Sequence, residues 1–287
     1  MDNKSTIGLF CEHHHISIHA NFKSEEQGVV WLLAVKRTVV DSVAARCDQL
    51  LTEKDPSWSM LLTMLERVYE HCAASFVSFF TGNWASLEVV VRAVIEAAAT
   101  AIYTTNGDRH TRLGQYLTHY FTTSRKAIDK SDSSTQDRAR MNLKFREDII
   151  RQVTSLEGIP FDVTGWPSTV LERFSAVGME KDYRHIYAVL SGQVHNDAES
   201  LIDFVIQKCV ASHDEELSRM AAGEMLYWMR FYLYSGLRFY AIAANSYCIA
   251  HKLVNGSNET STIIADVSRH LETLMSDFDR LQGRQTN

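Results

Sequence analysis

Apolar residues recur every three to four positions along most of this chain, and no stretch shows the strict alternation of a half-buried strand. Residues 1–23 lack any such period and are expected to form an extended arm. Ser24, with Gln27 at the capping-box position, opens a first helix whose apolar stripe is Val29, Leu32, Leu33, Val39, Val40, Val43, Cys47 and Leu50. Asp55-Pro56 starts a second, carrying Leu61, Leu62, Leu65, Val68, Cys72, Phe76 and Phe79 and stopping at Thr81-Gly82-Asn83. The third, from Trp84 to Tyr103, is apolar nearly all round, which predicts burial on most sides. Its charges, Glu88, Arg92 and Glu96, are four apart and form one ridge on that central helix. Asn106-Gly107-Asp108 ends it, and Leu113, Tyr116, Leu117, Tyr120, Phe121 and Ile128 mark a fourth.

A polar loop at 130–135 precedes a highly charged fifth helix with Leu143, Phe145, Ile149, Ile150 and Val153 as apolar positions, capped by Ser134 with Asp137. Between Arg125 and Arg151 basic residues outnumber acidic ones, so a modest basic face is expected, read here as a solvated surface. After an irregular stretch with Gly158, Pro160, Gly165 and Pro167 come a short helix ending at Gly178, one over 181–193, and one over 198–210 capped by Asn196. A very long helix spans about 215–254, an Asn-Gly-Ser-Asn loop follows, and a last helix carries Ile263, Ile264, Val267, Leu271, Leu274, Phe278 and Leu281. The expectation is an all-α fold: one helical-bundle domain over 24–287, of about ten helices, built around the third.

Composition narrows the class. Only 3 prolines and 13 glycines in 287 residues suit long helices better than a many-turned sandwich. The net charge of -6 excludes a wholesale electrostatic nucleic-acid binder, though not a local basic patch. Five scattered cysteines with no paired spacing read as reduced thiols of a cytoplasmic protein. Glu224, Arg230 and Arg238 interrupt the one aromatic-rich stretch long enough to span a bilayer, so no membrane partner is expected. That helix carries more aromatics than one stripe needs, which suggests a homodimer formed through it or cover from the first two and last helices.

Candidate chemistry is sparse. Cys11, His13, His14, His15 and His19 could ligate a metal, but a structural zinc site wants four ligands, commonly as two pairs, and no second cluster accompanies them. No metal site and no cofactor are therefore assigned. Arg112 and His119 formally fit the Arg-x(4–6)-His signature of HEPN ribonucleases, a permissive pattern in a chain with 12 histidines. The informative block is 166–201. Tyr183, Tyr187, Ser191 and His195 step by four down one helix, and Asn196 begins the next, leaving His195 at a tight corner. His195 either fixes the angle between two helices or joins the Arg92/Glu96 ridge in a polar pocket.

Taken together, Arg92-x-x-x-Glu96, Trp166, Gly178 and the Tyr183/Tyr187/Ser191/His195 helix resemble a bacterial all-helical family of unknown function, numbered five-six-seven-seven, over roughly 84–201. That family in turn looks distantly like HEPN proteins, helical nucleases and nucleotide binders of toxin–antitoxin and phage-defence systems. The resemblance implies a fold more than an activity. Arg184 and His195 are too far apart in sequence for the HEPN signature. Two functions follow. One is a non-catalytic module that binds a protein partner, with RNA or a nucleotide as further ligand classes, in a stress or defence system. The other is a metal-independent ribonuclease in which His195 is general base, Arg92 or Arg184 stabilises the phosphorane and Glu96 orients one of them. Tyr183, Tyr187, Ser191 and Asn196 would then line the binding surface. The binding module is the reading preferred.

Overall fold

In the computed structural model, residues 25–52, 57–156, 158–188, 190 and 215–281 are described. They form helices and connecting turns without a strand. The helices are α1 (Glu26–Thr52), α2 (Ser57–Phe80), α3 (Trp84–Thr105), α4 (Arg109–Asp129), α5 (Ser133–Leu156), α6 (Val170–Ala176), α7 (Glu180–Asp182, prolonged by a π-helical turn Tyr183–Tyr187), α8 (Glu215–Ala250) and α9 (Val254–Leu281). The expected arm at 1–23 and helix at 198–210 lie outside the described residues, as do the caps Ser24, Asp55 and Asn196.

The core is a bundle of α1, α2, α3, α8 and α9. Leu87, Val91, Val94, Ile95, Ala98, Ala99 and Ile102 of α3 are all buried, as its apolar circumference requires. Against them lie Phe76 and Phe79 of α2 and Leu233, Leu237, Phe239, Tyr240 and Ala244 of α8. The helix ends follow the local chemistry. Asn83 caps α3 by accepting from the Ser86 amide, and Asp108 caps α4 by accepting from Thr111.

One expectation needed correcting. The Asn255-Gly256-Ser257-Asn258 stretch is not a loop but the first turn of α9. A Cβ on Gly256 would come within 2.9 Å of both Ser42 and Cys248 side chains, so this glycine lets α9 press onto α1 and α8. Tertiary packing has overridden local turn propensity. Most aromatics of α8 are also covered within the chain, though Trp228 stays 37 % exposed. Tyr227 stacks on Phe278 of α9 at 3.9 Å, Tyr234 meets Trp31 of α1 and Tyr240 meets Tyr69 of α2. Of the two expected kinds of cover for α8, the contacts within the chain account for these three rings.

Outside the core, α4 and α5 form a hairpin that reaches the bundle mainly through α3, with Arg109 of α4 also donating to the Ala250 carbonyl at the end of α8. Gly114 permits its closest approach to the following loop, because a Cβ there would stand 2.0 Å from the Pro160 carbonyl oxygen. Glu147 of α5 is buried between Arg125 of α4 and Arg151, and Arg151 also binds Asp162 at 2.7 Å. These ion pairs tie the hairpin to the loop that delivers α6 and α7.

Candidate functional site

The site is assembled on the outer side of α3, where α4, α6 and α7 converge. Arg92 and Glu96 share one face of α3, four residues apart. Both are half-buried rather than enclosed. The cause is that α6 and α7 are short and roof only part of that face.

The capping box of α6, in which Thr169 and Glu172 exchange hydrogen bonds, fixes the orientation of this short helix. With Glu172 held on the cap, the next side chain, Arg173, turns inward and is only 7 % exposed. Its Nη2 lies 3.6 Å from Glu96 Oε1, and its Nη1 donates to the Pro167 carbonyl at 3.4 Å. Its Nε is buried without a partner among the described residues. Phe174, fully buried, packs against Tyr183, Tyr187 and Phe239 and locks α6 to α7 and α8.

The π-helical turn in α7 is defined by the Ala188 amide donating to the Tyr183 carbonyl, five residues back. Such turns re-aim side chains and occur often at functional sites. Here Tyr183 and Tyr187 stack at 5.3 Å, and the Tyr187 hydroxyl points at α3. That hydroxyl donates to Glu96 Oε2 at 3.0 Å and accepts from Arg92 Nε at 3.4 Å. The Arg92 guanidinium also sits 5.4 Å from the Tyr187 ring centroid. Asp182, just before the turn, is held by Arg238 of α8 at 2.9 Å.

An aromatic wall completes the cluster. Trp166 packs edge-on against Tyr103 and tilted against Tyr116, and Arg173 lies 5.7 Å from its ring. Burial pushes the phenol of Tyr187 above its ordinary value, with Glu96 adding to the rise and Arg92 opposing it. Burial likewise lifts Tyr116, while Arg173 works against that rise. Arg173 is itself shifted down by desolvation, and Glu96 offsets this. Both phenols thus remain protonated donors at neutral pH, and the cluster carries two guanidiniums and one carboxylate.

The structure brings Arg92, Glu96 and Tyr187 together, with Tyr183 stacked behind. Ser191, His195 and Asn196 lie outside the described residues. Arg184 is not part of the cluster: it is exposed and pairs with Glu180 one turn away at 2.6 Å. Sequence reasoning missed Arg173 and Tyr116. Arg112 and His119 have other tasks or none. Arg112 donates to the Tyr103 and Asn106 carbonyls at the end of α3, and His119 is exposed. Among the described residues, no group of three or more His, Cys, Asp or Glu is placed to hold a metal ion. The metal-capable residues Cys11 to His19 lie outside those residues.

With this geometry in hand, comparison with known families is informative. The model of a family of unknown function, DUF5677, matches residues 59–209, more than half of the chain and including every residue of the cluster. No curated protein and no solved structure matches. The chain belongs to the DUF5677 family.

Proposed function

Starting from that membership, we propose that this protein is a non-catalytic binding module in which Arg92 and Arg173 receive an anionic group. The observation that carries the proposal is an imbalance. Arg173 pairs with the Glu96 carboxylate, Arg92 reaches it only through the Tyr187 hydroxyl, and the Arg173 Nε–H is buried without an acceptor among the described residues. An unmet buried donor costs about 1–3 kcal/mol, and a phosphate or carboxylate oxygen admitted by a shift of α6 would remove that cost. Arginine is suited to such oxygens because its planar fork offers parallel donors. A phosphate of a nucleotide or of RNA has this chemistry, and the Trp166–Tyr116 wall offers rings for a base to stack on.

The same geometry weighs against the ribonuclease reading. Glu96 is occupied by Tyr187 and Arg173, and Arg184 by Glu180, so neither is poised to act on a reacting group. Cytoplasmic residence is proposed on the free thiols Cys47, Cys72 and Cys248. A role in a bacterial stress or phage-defence system rests on the HEPN resemblance alone.

Thermal denaturation in inorganic phosphate at low ionic strength tests the site. The melting temperature should rise with phosphate beyond the rise in chloride of equal ionic strength, and the excess should shrink in Arg173→Gln and in Arg92→Gln. An equal excess in all three proteins would overturn the assignment.

A further inference from the structure

The outward face of α5 has no neighbour among the described helices, and it is not the simple solvated surface its charges suggest. Met141 is 73 % exposed, Phe145 67 % and Leu156 82 %, with Ile149 beside them. Ser134, Arg138, Met141, Phe145, Asp148 and Gln152 follow alternating steps of three and four, and all six are exposed. That is the spacing of a helix–helix seam. The seam is symmetric in its chemistry. Met141 and Phe145 lie two residues either side of Leu143, and Arg138 and Asp148 lie five either side. Neither Arg138 nor Asp148 has a partner among the described residues.

We propose that this face of α5 pairs with the same face of a second copy of the chain, antiparallel about a two-fold axis at Leu143. In that register Met141 of each copy covers Phe145 of the other, and Arg138 of each meets Asp148 of the other. One rotation satisfies all four contacts, as an isologous interface demands. Leu143 and Glu147 face the opposite way, buried against α4, so the ridge is presented on a rigid support. A nucleic acid would answer the charges of α5 but not its apolar centre. An anionic bilayer would meet Asp137 and Asp148 beside the ridge. One helix from each copy buries area at the low end for a specific interface, so the dimer should be weak and concentration-dependent.

Sedimentation equilibrium of the full chain reads this directly. The mass should climb from 32.6 kDa towards twice that as concentration rises to about 100 micromolar. Phe145→Asp should hold the protein at the monomer mass with its melting temperature unchanged, because the side chain is exposed. Arg138→Asp and Asp148→Arg should each dissociate the dimer, by placing like charges opposite one another. The double variant should restore it, since the pairs re-form with signs exchanged. A wild-type monomer at every concentration would overturn the proposal, as would a dimer that survives Phe145→Asp or a double variant that stays monomeric. A monomeric wild type whose melting temperature falls in Phe145→Asp would mean that the chain's own remaining residues cover the face.

Discussion

The Arg173 guanidinium stands 3.6 Å from the Glu96 carboxylate, the arginine side chain 9 % exposed and the glutamate 43 %. The pair therefore spans a boundary, with the cation inside and the anion at the rim. Removing the anion strands a charge that water barely reaches. Removing the cation leaves a carboxylate that water and Tyr187 still satisfy.

Glu96→Gln should thus destabilise the fold more than its exposure suggests, by about 1–3 kcal/mol, which is below the cost of breaking a fully enclosed pair. Adding Arg173→Met should recover part of that loss. Urea unfolding of both singles and the double gives the coupling energy, and strict additivity would show that the pair is not energetically linked.

Tyr187→Phe isolates the hydroxyl. The ring keeps its stack on Tyr183 and its contact with Phe174, but Glu96 and Arg92 lose their bridge. A loss of about 0.5–1.5 kcal/mol is expected. A phosphate-dependent stabilisation that survives in this variant would show that Tyr187 positions Glu96 without itself contacting the anion.

The bundle was legible because it is written in local periodicity. A helix apolar around its circumference must be central, and Val94 and Ala98 of α3 are sealed, while Val90 is half-buried and Val89 exposed near its start. The Arg92–Glu96–Tyr187 relation was half legible, since spacing put the two α3 charges on one face and buried charge demands partners. Arg173 was not legible. Nothing in the segment Val170–Ala176 sets it apart from its neighbour Glu172. Its burial arises because the capping box takes Glu172 and the loop through Pro160 and Pro167 folds the turn back onto α3. The start of α9 was misread for the same kind of reason, because close packing at Gly256 outweighs a turn-like sequence.

Two backbone substitutions should act in opposite directions. Gly114→Ala drives a methyl into the Pro160 carbonyl and should cost about 1–3 kcal/mol, as overpacking does. Lys252 ends α8 in the left-handed region at φ 56°, with the Leu253 amide donating to the Cys248 carbonyl, a position that favours glycine. Lys252→Gly should stabilise by about 0.5–1 kcal/mol. Thermal unfolding distinguishes the two, and a destabilised Lys252→Gly would point to a role for the side chain.

Stability should also fall on mild acidification, through His270. Its ring lies 4.2 Å from that of Tyr234 and 5.8 Å from Trp31, and its Nε2 is buried without a partner among the described residues. Burial pushes it below its ordinary 6.5, Glu25 opposes that and Arg230 adds to it. The unfolded imidazole takes its proton near 6.5 while the folded one resists, so the unfolded state binds more protons in that window. The contribution is present above 6.5 and is lost as pH falls towards the folded value. Melting temperatures from about pH 7.5 to about 5.5, above the carboxylate range, should fall more steeply in the wild type than in His270→Phe. Parallel curves would remove His270 from the account.

The central claim, that Arg92 and Arg173 bind an anionic group without catalysis, is tested most directly by incubating purified protein with a single-stranded RNA in the absence of metal. The RNA is then followed on native and denaturing gels. The account predicts full-length RNA with both the wild type and His195→Ala, and any retardation should weaken in Arg173→Gln. RNA cleaved by the wild type and left intact by an equally stable His195→Ala would contradict it.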